Sequence, residues 1–224
     1  MKIFCISIYN QNHSFFIENN LTPVGLGNNQ FDNNWINDKF ENDISEKNEN
    51  YGEYSFHYRL WKDSSLLKSQ EHSWIGFCTY RRFWIKKNLY PPTNMKELSL
   101  SILKEVPKEW NDYDCILAEP IVLGKQKFMK LLKNNFSYIF KKPSLLINRC
   151  TIKDHFYLNH GDFFLDNAVK LFEPNEQDKF NKYLELYQFN PHNLFICKEL
   201  FSSLLSESLS TINSSTPGHT RAAA

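Results

Sequence analysis

Four short apolar runs, set apart by segments of helical periodicity, restrict this chain to a layered α/β architecture. The runs are residues 2–9 (KIFCISIY), 73–84 (SWIGFCTYRRFW), 112–120 (DYDCILAEP) and 192–198 (HNLFICK). Each is dense in β-branched, aromatic or Cys residues beside polar or charged ones, as buried strands meeting loops are. Residues 95–106, 125–140, 161–172 and 175–188 carry the apolar spacing of amphipathic helices. Strands alternating with helices predict a mostly parallel sheet, whose ligands bind at the carboxyl ends of the strands. That rule selects Tyr9 and Asn10, Tyr80 to Arg82, Glu119 and the 192–198 segment.

Residues 19–50 are rich in Asn, Asp and Gly and read as a long irregular loop. A stretch of that length inside a compact domain is usually functional or mobile. Beyond it, Tyr51, Tyr54, Tyr58 and Trp61 fall at helical spacing and predict a packing stripe, with Ser45 and a carboxylate-rich first turn as the start signal. Residues 213–224 have the Ser/Thr/Pro/Ala composition of a frayed or artificial tail, which leaves 1–212 as one domain.

The formal net charge of +1 gives no global attraction to nucleic acid. No aromatic strand motif of the RNA-binding kind is present, so a nucleic-acid partner is not expected. The five cysteines are scattered singly, without metal-ligand spacing, and read as reduced core residues. The amino-terminal apolar run is too short for a secretion signal, and no run approaches the ~20 residues of a membrane span. A cytoplasmic protein is expected. The Lys-rich helix of residues 125–142, interleaved with Phe, Met and Leu, is either a solvated outer face or a peripheral contact for the inner face of a membrane.

Three blocks carry a resemblance. The first is Val24-Gly25, followed by Asp43-Ile44-Ser45-Glu46-Lys47-Asn48, Tyr51, Glu53 and the helix ending in Trp61-Lys62. The second is Ile75-Gly76-Phe77-Cys78-Thr79-Tyr80-Arg81-Arg82-Phe83. The third is His160 with Asp162, then Asn193-Leu194-Phe195-Ile196. Together they resemble the DUF4422-type bacterial glycosyltransferases found among capsule, lipopolysaccharide and exopolysaccharide genes.

The resemblance implies a GT-A-like α/β fold, a single domain with a mostly parallel central sheet flanked by helices. It also implies a nucleotide-sugar donor, with UDP-galactofuranose or a related UDP-sugar among the candidates, and a glycan or lipid-linked glycan acceptor. Two departures stand out: Thr79 occupies the place where the family carries His, and the carboxyl end lacks the family's Glu-Arg-Leu-like segment.

In GT-A enzymes an Asp-x-Asp at a strand end holds a metal against the diphosphate. Here Tyr80-Arg81-Arg82 fills that place, and two guanidiniums there can hold phosphate oxygens without a metal. No cofactor or metal ion is therefore expected. Strand alternation would send the two arginines to opposite faces, leaving one of them free to pair with a structural carboxylate instead. Asn10, Gly25, Glu46, Asn48 and Glu53 are the further donor-side candidates; Glu46 serves equally well as a helix cap.

A general base for the acceptor hydroxyl is sought among Asp162, Glu119 and His160, and acceptor contacts at His192 and Asn193. In His160-Gly161-Asp162 the carboxylate also suits the start of a helix. A non-catalytic nucleotide- or glycan-binding module is the alternative to an enzyme.

Overall fold

A computed structural model of the chain describes residues 1–67, 74–87, 90–124, 136–147, 149–160, 164–190 and 193–198. Of these, 1–117 and 193–198 form one compact unit and 118–190 a second. In the first unit, β1 (Lys2–Ser7), α1 (His13–Glu18), β2 (Leu21–Gly25) and β3 (Ile36–Asn37) are followed by α2 (Asn48–Tyr51) and α3 (Tyr54–Lys62). Then come β4 (Trp74–Thr79), α4 (Met95–Ser101) and β5 (Cys115–Leu117). In the second unit β6 (Ile121–Val122), α5 (Phe136–Lys141), α6 (Ile152–His160), α7 (Phe164–Val169), α8 (Pro174–Leu184) and β7 (Gln188–Phe189) follow in order. The chain returns to the first unit with β8 (Phe195–Lys198).

The six strands of the first unit form an α/β sheet in the order β3-β2-β1-β4-β8-β5. The β1–β2, β2–β3 and β1–β4 pairs are parallel, and β8 runs antiparallel between β4 and β5. Alternation along β1 supplies both cores. Ile3 and Cys5 join Trp74, Cys78, Ile196 and Phe16 of α1 on one face, while Phe4 and Ile6 join Ile75, Phe77 and Phe56 and Leu60 of α3 on the other. A sheet buried on both faces explains why its central strands read as continuous apolar runs. Cys5 lies opposite Cys78 across the β1–β4 pair, and burial together with that neighbour pushes the Cys5 thiol far up, which keeps it protonated.

The 19–50 segment contains a central strand, contrary to the loop expected of it. β2 was hidden by Pro23 and Gly25. Leu26 N–H donates to Ser7 O at 3.0 Å, so by period-2 alternation Thr22 and Val24 face β1 and Pro23 faces outward. There β3 covers only Val24 and Gly25, so the missing N–H of Pro23 breaks no ladder. The aromatic helix also differs from its expected form. Gly52, at φ 52°, divides α2 from α3, and the buried face of α3 is Ser55, Phe56, His57 and Leu60 rather than the Tyr/Trp stripe.

The second unit builds its core from Leu123, Ile139, Leu145, Leu158, Leu165 and Leu184. Helix α6 begins on a reciprocal cap: Asp154 N–H donates to Thr151 Oγ1 at 3.2 Å and Thr151 N–H to Asp154 Oδ2 at 3.1 Å. The same buried carboxylate receives Tyr138 OH at 2.7 Å and Lys142 Nζ at 2.8 Å. Helix α8 covers the expected 175–188 segment up to Leu184, and Gln188 belongs to β7 instead. Of the expected 161–172 helix residues 164–172 are described and α7 takes 164–169 of them, and of the 125–140 helix only residues from Phe136 onward lie among those described.

Candidate functional site

β1 has β2 on one side and β4 on the other, so the sheet reverses direction of growth between β1 and β4. Ligand crevices form outside the carboxyl ends of strands at such a point. At the end of β4 the chain turns back at once. Thr79 N–H donates to Arg82 O at 3.1 Å and Arg82 N–H to Thr79 O at 3.0 Å, which makes Tyr80 and Arg81 the two central residues of a tight turn. The apolar run 73–84 is thus strand, turn and return, not one strand.

The turn is anchored on both sides. Tyr80 N–H donates to Ile6 O at 3.0 Å, and on the return Trp84 Nε1 donates to Phe77 O at 2.9 Å. Strand alternation therefore does not govern Arg81 and Arg82. Both are exposed, and among the described residues neither forms an ion pair. The Arg81 guanidinium lies 4.9 Å from the Tyr80 ring centre, and the Tyr80 ring meets Tyr9 edge-on at 5.3 Å. Two guanidiniums on neighbouring residues of a strand-end turn suit an anion such as a diphosphate.

The end of β1 also reaches the loop that follows β2. Asn10 Nδ2 donates to Asp32 Oδ1 at 3.2 Å. Asp32 lines a cavity of about 630 Å³ with Asn28, Phe31, Trp35, Asn37 and Lys39, among others. That volume is in the range of small-ligand sites. Trp35 is buried, and its Nε1 donor has no partner among the described residues. A second hollow of about 420 Å³ shares Asn28 and Lys39 and includes Glu46 in its wall. Asp43 rather than Glu46 secures the start of that turn, accepting from Ser45 N–H at 2.8 Å and Phe40 N–H at 2.9 Å.

Beneath the cavity wall runs a chain of hydrogen bonds that the sequence did not reveal. Asn48 Nδ2 donates to Ser55 Oγ at 3.1 Å, and Ser55 donates to Asp38 Oδ2 at 2.5 Å. The two Asp38 oxygens also receive Gly27 N–H at 3.0 and 3.2 Å. Gly27 has φ 69°, and a Cβ there would meet Asn48 Cβ at 3.3 Å, so the position takes only glycine without strain. Asn48 is thus committed to holding the loop. Gly25 has a different reason: a Cβ would fall 2.4 to 2.7 Å from carbons of the Phe31 ring, which packs directly on the glycine.

On the α3 face, His57 is buried between Phe77 at 4.5 Å and Phe195 at 5.7 Å, with Tyr54 at 6.0 Å. Tyr54 OH donates to Asn193 Oδ1 at 2.9 Å, so the first and third sequence blocks meet here. Burial lowers the His57 pKa from 6.5 to about 4, which keeps the ring neutral. As pH falls, the unfolded chain takes up this proton first. The stability His57 confers is complete above pH 6.5 and lost between about 6.5 and 4, by up to about 3 kcal/mol. Urea unfolding at about pH 7.5 and about pH 4.5 should therefore show a stability gap in the parent that is smaller in His57→Phe by about 2.5 kcal/mol; an equal gap would contradict a buried neutral ring.

The remaining candidates fall elsewhere. Glu53 sits half-buried at the start of α3 without a side-chain cap bond. Glu119 is exposed just before β6 and His160 exposed at the end of α6, both in the second unit. Asp162 and His192 lie outside the described residues. Thr79 is buried with its Oγ1 unpartnered among the described residues. Among those residues no group of three His, Cys, Asp or Glu side chains is arranged to hold a metal ion, and no helix is long and apolar enough to cross a membrane. Phe31, Trp35, Asp38 and His57 were not foreseen; an aromatic pair four residues apart within an Asn-rich segment was the one available signal.

Comparison with known proteins gives two matches. A family model described as "Domain of unknown function (DUF4422)" matches residues 5–216. The fold is similar to an apo structure of WbbM, described as a bifunctional glycosyltransferase, with a TM-score of 0.58 and 18% sequence identity. The match covers 96% of this chain and 36% of that one. No curated protein matches.

Proposed function

This chain belongs to the DUF4422 family, and on that premise we propose that it is a glycosyltransferase moving a sugar from a nucleoside-diphosphate sugar to a glycan acceptor. The observation that carries the reading is the tight turn at the end of β4, which presents Arg81 and Arg82 where the sheet reverses direction. The end of β1 touches both this turn, through Tyr9 and Tyr80, and the cavity wall, through Asn10 and Asp32. One nucleotide-sugar spans such an arrangement, with its base in the cavity and its diphosphate at the arginines.

In this reading the bond from the anomeric carbon to the diphosphate breaks while the acceptor oxygen attacks, and the arginines stabilise the charge left on the diphosphate. They stand in for the metal of an Asp-x-Asp site, so activity persists in chelator. The acceptor proton goes to a carboxylate or imidazole, for which Glu119, Asp162 and His160 remain the candidates. His192 and Asn193 are on the acceptor side. The donor is a UDP-hexose, with UDP-galactofuranose first in line, and the acceptor is a surface polysaccharide or its lipid-linked precursor on the cytoplasmic side.

A second reading, a module that binds the nucleotide or glycan without turnover, draws on Thr79, whose hydroxyl lacks a partner among the described residues where the family carries His. Titration with UDP combined with an assay of UDP release from UDP-hexoses separates the two. Binding with sugar release supports the enzyme. Binding without release favours the module, and no binding rejects both.

Gly25→Ala tests the cavity. The added methyl collides with the Phe31 ring and drives it from the wall. Overpacking of this kind costs about 1–3 kcal/mol. UDP affinity in calorimetry is expected to fall roughly tenfold or more; an unchanged affinity would mean the base binds elsewhere.

A further inference from the structure

Three polar groups of the first unit, Glu53, Tyr54 and Asn193, gather at the carboxyl end of β4 beside the arginine turn, and none of them lines the cavity. Helix α3 sets two of them there. The chain beyond its end meets the amino end of β1, where Lys2 Nζ donates to Leu66 O at 2.9 Å, and Lys2 is level with Ile75 near the start of β4. Helix α3 therefore runs against β4, and its first residues stand at the strand's carboxyl end. His57 fixes the height, with its ring 4.5 Å from that of Phe77. Glu53 lies four residues before His57 and Thr79 two after Phe77, a climb of roughly 6 Å in the helix and about 7 Å in the strand. Glu53 is thus level with the start of the turn that carries Arg81 and Arg82.

The third group comes from the neighbouring strand. β8 sets Ile196 opposite Gly76, and the Phe77 and Phe195 rings, 4.8 Å apart, carry that register one step further. Asn193, two residues before Phe195, reaches the same end, where its Oδ1 accepts from Tyr54 OH at 2.9 Å. That bond fixes an aromatic ring that is 41% exposed, and it leaves the Asn193 amide hydrogens free among the described residues. Glu53 is half-buried, and its carboxylate forms no hydrogen bond or ion pair among those residues. It lies near enough to the Tyr54 hydroxyl that burial and this charge together raise the tyrosine pKa. Thr79, two residues past Phe77 and so on the same face of β4, adds a hydroxyl that is 7% exposed at the residue level and unpartnered among the described residues. An exposed ring, an open amide and an open carboxylate are the groups that hold a sugar by its apolar face and its hydroxyls.

From this corner we infer that Glu53 is the general base of sugar transfer and that Tyr54 and Asn193 hold the acceptor sugar beside it, an inference that rests on the glycosyltransferase reading. The acceptor oxygen bonds to the anomeric carbon as the bond to the diphosphate breaks. The electron pair of the broken bond leaves on the diphosphate beside the arginines, and the acceptor proton passes to the Glu53 carboxylate, which returns it to water after release. Glu53 thereby moves from the donor side to the acceptor side. It shares a unit with Arg81 and Arg82, whereas Glu119 and His160 belong to the second.

The test follows UDP release from UDP-hexoses, with water as the acceptor, in the full chain and in Glu53→Gln, Glu53→Asp and Glu53→Ala, each checked for fold by circular dichroism and titrated with UDP. Glu53→Gln should keep the parent's UDP affinity and lose roughly 10²-fold or more in kcat. Glu53→Asp, a carboxylate one methylene shorter, should keep part of the rate, and it serves if the amide variant fails to fold. In Glu53→Ala, added azide, an anionic nucleophile with no proton to give up, should restore UDP release and yield a glycosyl azide. Parental kcat in Glu53→Gln, a loss of UDP affinity in a folded variant, or azide without effect on Glu53→Ala would each overturn the inference while leaving the glycosyltransferase reading in place. A parent that releases no UDP overturns that reading and the inference with it.

Discussion

Replacing Arg81 and Arg82 together with alanine is expected to lower donor turnover by roughly 10²- to 10³-fold, the usual cost of removing a charge-stabilising group from a transition state. The loss should appear in kcat, because negative charge on the diphosphate grows as the glycosidic bond breaks and is greatest after the ground state. Stability should hardly change. Both side chains are exposed and without ion pairs among the described residues, and surface truncations of that sort stay within about 0.5 kcal/mol. The backbone bonds between Thr79 and Arg82 that define the turn do not involve the side chains and survive the change. Lysine at both positions should restore part of the rate, since the charge returns but the forked geometry does not. An alanine pair with near-parental turnover would remove the arginines from the chemistry.

Asp38→Ala is expected to destabilise the protein by about 3 kcal/mol in urea unfolding, the largest stability effect foreseen for a single residue here. Asp38 is fully buried and receives Gly27 N–H and the Ser55 hydroxyl. Ser55 has another acceptor in Gly52 O at 3.1 Å, so it re-pairs, whereas Gly27 N–H is left without its bond. Gly27 is also the residue held at φ 69° over Asn48, so the loop it fixes, from Gly27 to Lys39, should loosen and UDP affinity fall with stability. Asp38→Asn keeps one oxygen for Gly27 and should cost less. Equal stability of the parent and Asp38→Ala would show that packing, not this carboxylate, holds the loop.

The α/β class was legible because the central strands β1 and β4 are buried on both faces and therefore stand out as apolar runs, and β5 and β8 also fall within segments read as strands. The placement of Tyr80 to Arg82 at a strand end was legible too. The turn itself was not, since Phe83 and Trp84 continue the aromatic run and carry no Gly or Pro to mark a reversal. β2 was lost because its composition, LTPVG, belongs to a loop until the outward direction of Pro23 and the Phe31 ring over Gly25 are known. The Asp38 chain joins residues 11 and 17 positions apart in the sequence, beyond the reach of any local pattern. His57 was passed over because an imidazole within an aromatic helix looks the same whether it faces water or the core.

The position of the diphosphate defines the proposed donor site. A crystal structure with UDP bound, grown with chelator present, tests this most directly. The prediction is a diphosphate oxygen within about 3 Å of the guanidinium of Arg81 or Arg82, with the uracil in the cavity lined by Phe31 and Trp35. A diphosphate remote from both arginines, or the absence of bound UDP until a divalent metal is restored, would contradict it.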